Sequence, residues 1–198
     1  MDDAFVCGLD EAGRGPLAGP VCAGAVILPH DFPIECLGDS KKLSSKKRAY
    51  AETCIKEQCC WGIGTVDHET IDRINILQAS LLAMKLAFEM AMKTFDRWTQ
   101  EHGYTVDGKD MSAIADGTFV PDISWRCICE PKADGTYPCV MAASIIAKTE
   151  RDRIMMEYDA LYPAYKYARH KGYPTPEHIK ICRELGPSPI QRHSFHVK

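Results

Sequence analysis

The sequence predicts an α/β fold, a mixed five-stranded sheet flanked by helices with a small C-terminal helical extension. Three observations predict it. Short apolar runs come first as a hairpin-like pair and later alternate with helical stretches, the pattern of a mixed sheet. Residues 75–102 place Leu77, Leu81, Met84, Phe88, Met92 and Phe95 at helical spacing and stop at Gly103. Beyond Pro163 the composition turns basic and aromatic, with Thr175 and Pro176 opening a last helix.

In chain order, residues 5–9 and 22–28 are the first two strands, separated by a glycine-rich turn. A proline-containing loop leads to Asp39-Ser40-Lys41-Lys42-Leu43, and Ser44 caps a helix reaching about Cys59. Residues 61–66 form a short strand, Asp67 caps a brief helix, and the long helix follows from Asn75. Residues 111–115 form a buried strand ending at Asp116-Gly117, and residues 124–130 form the fifth. A helix over residues 139–162 has Pro138 in its first turn, and its Ala142, Ala143, Ser144 and Ala147 permit close approach to the sheet. The expected division is a catalytic domain, residues 1–162, with an extension over residues 163–198 packed on it.

Length and composition suit one α/β core with an appendage, and no apolar run is long enough to span a bilayer. Met-Asp-Asp-Ala at the start is acidic where a targeting peptide is basic, so the expected location is the cytoplasm, away from any membrane. The ten cysteines are scattered through apolar segments and contain no CxxC, so they read as reduced, small hydrophobes. Alternation across Trp125 to Glu130 makes Cys127 and Cys129 strand residues rather than zinc ligands.

The formal charge of -3 argues against indiscriminate coating of nucleic acid, yet cations are clustered. Lys41, Lys42, Lys46, Lys47 and Arg48 fall within eight residues, and residues 166–198 hold seven Lys or Arg against two acids. Either cluster alone reads as a solvated face or a basic tail. Beside an acidic site they suggest attraction of a phosphate backbone.

The organising stretch is Leu9-Asp10-Glu11-Ala12-Gly13-Arg14-Gly15-Pro16. It is not a P-loop, since Arg14-Gly15 stands where Lys-Ser/Thr is required and two acids would repel the phosphates. It is not a dinucleotide fingerprint either, because the glycine spacing is wrong and a strand follows. The surviving reading is a carboxylate pair for a hard divalent cation, next to backbone N–H groups and an arginine that hold an anion; an acid-rich turn is the plain alternative. Strand alternation would send Asp10 and Glu11 to opposite faces, so the sequence predicts a backbone bend there, permitted by Gly13 and Gly15. Asp116 ends the fourth strand and Asp134 follows the fifth, so four carboxylates converge at one sheet edge. Crowded acids need cations, and two Mg²⁺ ions so held suit in-line phosphoryl displacement.

The motif from Asp10 to Pro16 resembles the signature of the ribonuclease HII family. The likeness continues through Asp39 to Leu43, Asp116-Gly117, Lys132-Ala133-Asp134, Ala142 to Lys148, Arg151-Asp152, His170 to Thr175 and Arg192 to Phe195, essentially the whole chain. The resemblance implies an RNase H-like fold. It also implies hydrolysis of RNA in RNA/DNA hybrids and cleavage 5′ of single ribonucleotides in duplex DNA, leaving a 3′-hydroxyl and a 5′-phosphate. By that likeness Asp10, Glu11, Asp116 and Asp134 hold two Mg²⁺ or Mn²⁺ ions, with Asp116 preferred over Asp107 by its spacing to Lys132-Ala133-Asp134. Gly13, Arg14, Gly15 and Tyr173 would sense the ribose 2′-hydroxyl, the group that separates RNA from DNA. Without the resemblance Tyr173 reads as a turn aromatic packed beside Pro174. Arg14, Lys41, Lys42 and Lys171 are candidate phosphate contacts, their alternative being solvated side chains. His170, His193 and His196 are assigned to substrate contact or packing. A monomer is expected, and the short segment after Ser194-Phe195 makes binding to a sliding clamp doubtful.

Overall fold

The computed structural model describes residues 5–37, 44–106 and 111–195, so Lys41, Lys42, Asp107 and His196 lie outside the described residues. Five strands form one sheet in the order β3-β2-β1-β4-β5: β1 (Phe5–Ala12), β2 (Val21–Ile27), β3 (Cys60–Val66), β4 (Met111–Asp116) and β5 (Arg126–Glu130). β1 pairs antiparallel with β2 and β2 with β3, whereas β1–β4 and β4–β5 are parallel. The early hairpin-like run thus makes one half of the sheet, and the later strands, each reached by a crossover, make the other.

The helices are α1 (Ser45–Gln58), α2 (His68–Ile74), α3 (Ile76–Glu101), α4 (Pro138–Leu161), α5 (Tyr167–His170) and α6 (Pro176–Leu185). Their starts are set locally. Ser44, Asp67, Asn75 and Thr175 each accept a main-chain N–H of the first turn, satisfying donors that the helix cannot. α5 was not foreseen: its single turn lies between two left-handed residues, Lys166 and Lys171, and carries no apolar period of its own.

Alternation along β1 sorts its side chains between two layers. Phe5, Cys7 and Leu9 join Ala23 and Ala25 against the buried stripe Ala79, Ala83 and Ala87 of α3. On the other face Val26 packs on Ala142, Ala143, Ile145 and Ile146 of α4, and Ile114 on Val140. Each fully buried aliphatic side chain contributes about 1.5–3 kcal/mol to this sandwich. α4 sits unusually close: a Cβ on Gly24 would lie 2.4 Å from the Ala143 carbonyl oxygen, so only glycine admits the helix there.

The C-terminal segment returns to the front of the molecule. Arg192 N–H donates to the Leu17 carbonyl (2.8 Å), Gly19 N–H to that of Ile190 (2.9 Å), and Leu17 N–H to that of Gly172 (2.8 Å). The Asp72 carboxylate on α2 accepts the N–H groups of His193 (2.7 Å) and Ser194 (2.9 Å). Among the described residues no helix is long and apolar enough to cross a membrane.

Candidate active site

The strand-end acids require one correction to the sequence reading. No bend separates Asp10 from Glu11; β1 stays paired with β2 through Asp10–Gly24, Glu11–Ala23 and Ala12–Cys22, and the chain turns only at Gly13 (φ +104°). The physical reason is that β2 supports this end of β1, while pairing with β4 stops at Leu9–Ala115. Asp10 therefore leaves on the α4 face and Glu11 on the α3 face, yet both stand at the open rim of the sheet and their charges still act on one another.

Asp10 is 5% exposed. Its Oδ1 accepts the Glu11 N–H (2.7 Å) and its carboxylate is bonded to Ser144 of α4. Burial pushes its carboxyl well above the usual range, and the charges of Glu11 and Asp116 push it further, against the Ser144 bond. Burial also raises Glu11, partly offset by Arg14, whose Nη1 lies 3.3 Å from Glu11 Oε1. Asp116, the last residue of β4, accepts the Ala133 N–H (2.8 Å) and so fastens the turn that holds Asp134, itself 4% exposed. Asp10, Glu11 and Asp116 thus form an interacting group, with Asp134 connected through the Asp116–Ala133 bond.

This donor set is all oxygen and anionic, and its mutual repulsion is what a hard cation relieves. Among the described residues no three His, Cys, Asp or Glu side chains form a ready-made cage. The residues fit Mg²⁺ or Mn²⁺ in the manner of an ion held by few carboxylates and completed by water, rather than a closed structural site. All ten cysteines are free thiols.

Beside the acids opens a cleft of about 430 Å³ lined by Glu11, Gly13, Arg14, Gly15, Ser144, Lys148, Arg48 and Tyr173. Gly13 has no substitute: its φ is positive, and a Cβ would lie 2.1 Å from Arg151 Nε. Tyr173, 39% exposed, forms the facing wall, and a Cβ built on Gly15 would lie 3.7 Å from its ring. The Tyr173 backbone is fixed by its N–H to His170 O (2.8 Å) and by His178 Nδ1–H to its carbonyl (3.0 Å).

Lys171 is not brought into this cleft. It turns back, Nζ donating to the Ala168 carbonyl (2.5 Å), because its left-handed backbone (φ 50°) points the side chain toward α4 and α5. His170 and His193 are likewise outside the cleft lining; His170 is buried in packing, stacked on His178 at 4.2 Å. Two residues of α4 given no individual role in the sequence join the cleft, with a third behind them. Ser144 and Lys148 are one helical turn apart on α4, and Asp152 one turn further bonds Lys148 (2.5 Å) and pairs with Arg48 (3.6 Å). That i, i+4, i+8 polar stripe, which begins within the apolar first half of the helix, was the available signal.

Comparison with known proteins agrees with this geometry. The family model for ribonuclease HII matches residues 7–198. A ribonuclease HII of Treponema denticola is 47% identical over 203 residues, covering 98% of this chain and 99% of that protein. Among solved structures, ribonuclease HII of Archaeoglobus fulgidus in complex with PCNA superposes with a TM-score of 0.71 at 23% identity, covering 98% of this chain and 96% of that one. Bst-RNase HIII in complex with Mn²⁺ gives 0.67 at 20% identity, covering 93% and 71%. At those identities the two structures speak for the fold, which is RNase H-like. The near-complete span of the sequence match, running from the acids of β1 to the returning C-terminal segment, makes this chain a member of the ribonuclease HII family, an endonucleolytic hydrolase.

Proposed function

We propose that this protein hydrolyses the RNA strand of RNA/DNA hybrids and cuts 5′ of single ribonucleotides in duplex DNA, leaving a 3′-hydroxyl and a 5′-phosphate. It would act as a cytoplasmic monomer, with residues 1–162 as catalytic domain and residues 163–198 as the extension contributing Tyr173. The observation that carries the reading is the shared cleft: the Gly13-Arg14-Gly15 backbone and Tyr173 face each other at the rim that holds Glu11, with Asp10 and Asp116 alongside.

Asp10, Glu11, Asp116 and Asp134 would hold two Mg²⁺ or Mn²⁺ ions. When bound, such ions lower the pKa of the attacking water and stabilise the leaving oxygen. The chain's own residues do the rest. Asp10, kept in place by Ser144 and the Glu11 N–H, supplies the carboxylate most buried among the three interacting acids. Arg14 and Gly15 N–H groups offer donors to the ribose 2′-hydroxyl, and the Tyr173 ring offers a flat apolar face to the sugar. Arg14 contacts phosphate once Glu11 is engaged elsewhere, and Lys148 and Arg48 add positive charge along the same wall. Lys41 and Lys42 are candidate phosphate contacts, whereas the Lys171 side chain is turned back onto the Ala168 carbonyl.

The test is end-mapping of products from a long hybrid and from a DNA duplex with one ribonucleotide, each with Mg²⁺ or Mn²⁺. The reading expects single cuts 5′ of the ribonucleotide with 3′-hydroxyl ends. Cuts on its 3′ side, or cyclic phosphate ends, would contradict it.

A further inference from the structure

Two arginines are buried behind the glycine loop. Arg192 is fully buried and Arg151 is 1% exposed, and every hydrogen bond found for either guanidinium goes to a main-chain carbonyl. Arg192 Nη2 donates to Gly13 O (2.7 Å) and Pro20 O (3.0 Å), Nη1 to Arg14 O (3.2 Å), and Nε to Gly19 O (2.8 Å). Arg151 donates to Pro20 O (2.9 Å) and Ala18 O (3.2 Å), then to Lys171 O (3.0 Å), two residues before the Tyr173 that forms the opposite wall of the cleft. Its guanidinium also lies 5.6 Å from the centre of the Tyr173 ring.

Burying two like charges together is costly, and burial lowers both guanidinium pKa values, that of Arg192 to about 9. Both stay charged at neutral pH. A loop that merely had to close would be held more economically by apolar packing, so the arrangement calls for a directional account. A trans peptide is planar, with its C=O and N–H pointing in opposite directions. The carbonyls of Gly13 and Arg14 belong to the same peptide planes as the N–H groups of Arg14 and Gly15. Drawing those two oxygens inward onto Arg192 therefore turns the two N–H groups outward, toward the cleft that Gly13, Arg14 and Gly15 line. Among the described residues neither N–H has a hydrogen-bond acceptor. The cation on the oxygen side also polarises each peptide and strengthens its N–H as a donor.

We propose that Arg192, backed by Arg151, is a positioning residue for ribonucleotide discrimination: it aims the Arg14 and Gly15 N–H donors, while Arg151 sets their separation from the Tyr173 wall. The proposal rests on the 2′-hydroxyl reading given above. It makes the C-terminal segment part of substrate selection, through a residue that does not line the cleft.

A misaimed donor matters most where a single 2′-hydroxyl is available, and least on a uniform hybrid, where every neighbouring ribose offers another. Arg192→Met and Arg192→Lys are therefore compared with wild type on both duplexes, measuring kcat and KM, alongside ¹⁵N NMR of the Arg14 and Gly15 amides. Arg192→Met should lower kcat at a lone ribonucleotide by about 100-fold, the scale of an ångström-sized misplacement, with a smaller loss on the uniform hybrid and KM nearly unchanged. Arg192→Lys, which keeps the charge but not the fork, should recover part of that loss, and both variants should shift the two amide resonances. An unchanged ratio between the two duplexes, or equal losses on both, would overturn the proposal. If Arg192→Met fails to fold, the lysine variant decides by the same criteria. Should wild type show no preference for the ribonucleotide, the 2′-hydroxyl reading fails; unmoved amide resonances in the variants would still separately refute the positioning role.

Discussion

The two walls of the cleft are built on opposite electrostatic terms. At the strand ends, burial and the neighbouring carboxylates raise the proton affinity of Asp10 and Glu11, with Asp116 among the charges acting on both, so this wall is strained until a cation or a proton relieves it. At the glycine loop, every guanidinium nitrogen of two buried cations donates to a main-chain oxygen, so this wall is assembled before any ligand arrives. The difference teaches that chemistry and selectivity are separable here: the first wall depends on what binds it, the second on what lies behind it.

The largest effect should come from breaking the first wall. Asp10→Asn is expected to lower turnover at least about a thousandfold while substrate binding survives. In metal-free buffer it should raise the urea midpoint, because an uncompensated buried charge is gone. A lower midpoint would mean that Asp10 is structurally satisfied in the folded state. Breaking the second wall should show the reverse pattern. Gly13→Ala forces a side chain into positive φ against Arg151 and should cost about 1–3 kcal/mol in urea unfolding, with or without metal.

A smaller effect sharpens the contrast. Tyr173→Ala should reduce the preference for a lone ribonucleotide about tenfold, the worth of one stacked ring, while leaving general hybrid binding in a gel-shift assay nearly intact. An unchanged preference would remove Tyr173 from the reader.

The mildest lever is pH. Burial and the neighbouring His178 lower the pKa of His170, against the pull of the Tyr165 carbonyl, Glu177 and Asp159; burial also lowers His178, against the Tyr173 and Gly172 carbonyls. At these two histidines the unfolded chain therefore binds more protons than the folded one as pH falls below about 6.5, so their contribution to stability drops there, opposite in sign to that of the raised Asp10 and Glu11. Protonation would also set His170 Nδ1, the acceptor of Gly172 N–H (3.2 Å), against that donor. Urea midpoints at pH 7.5 and 5.5 should differ less in His170→Gln than in wild type; an equal difference would assign the loss to other groups.

Features held within a few residues were legible in the sequence. The caps at Ser44, Asp67, Asn75 and Thr175 announce themselves because a side chain there bonds its own first turn. Asp116 was legible because it terminates an apolar run. The expected bend at Asp10 failed because pairing of β1 is decided by β2, which continues beyond the acids, not by the glycines that follow. Arg151 and Arg192 were visible only as motif letters; their partners lie more than a hundred residues away for the loop carbonyls, beyond any local pattern. Lys171 misled for the same reason: a cation's charge is readable, the backbone angle that aims it is not.

The most direct measurement changes a single atom group. One duplex is made with ribose, deoxyribose or 2′-O-methylribose at the same position and incubated with the enzyme and Mn²⁺. The account expects cleavage at ribose alone, 5′ to it, and none at the other two; equal cutting of the ribose and deoxyribose duplexes would contradict it.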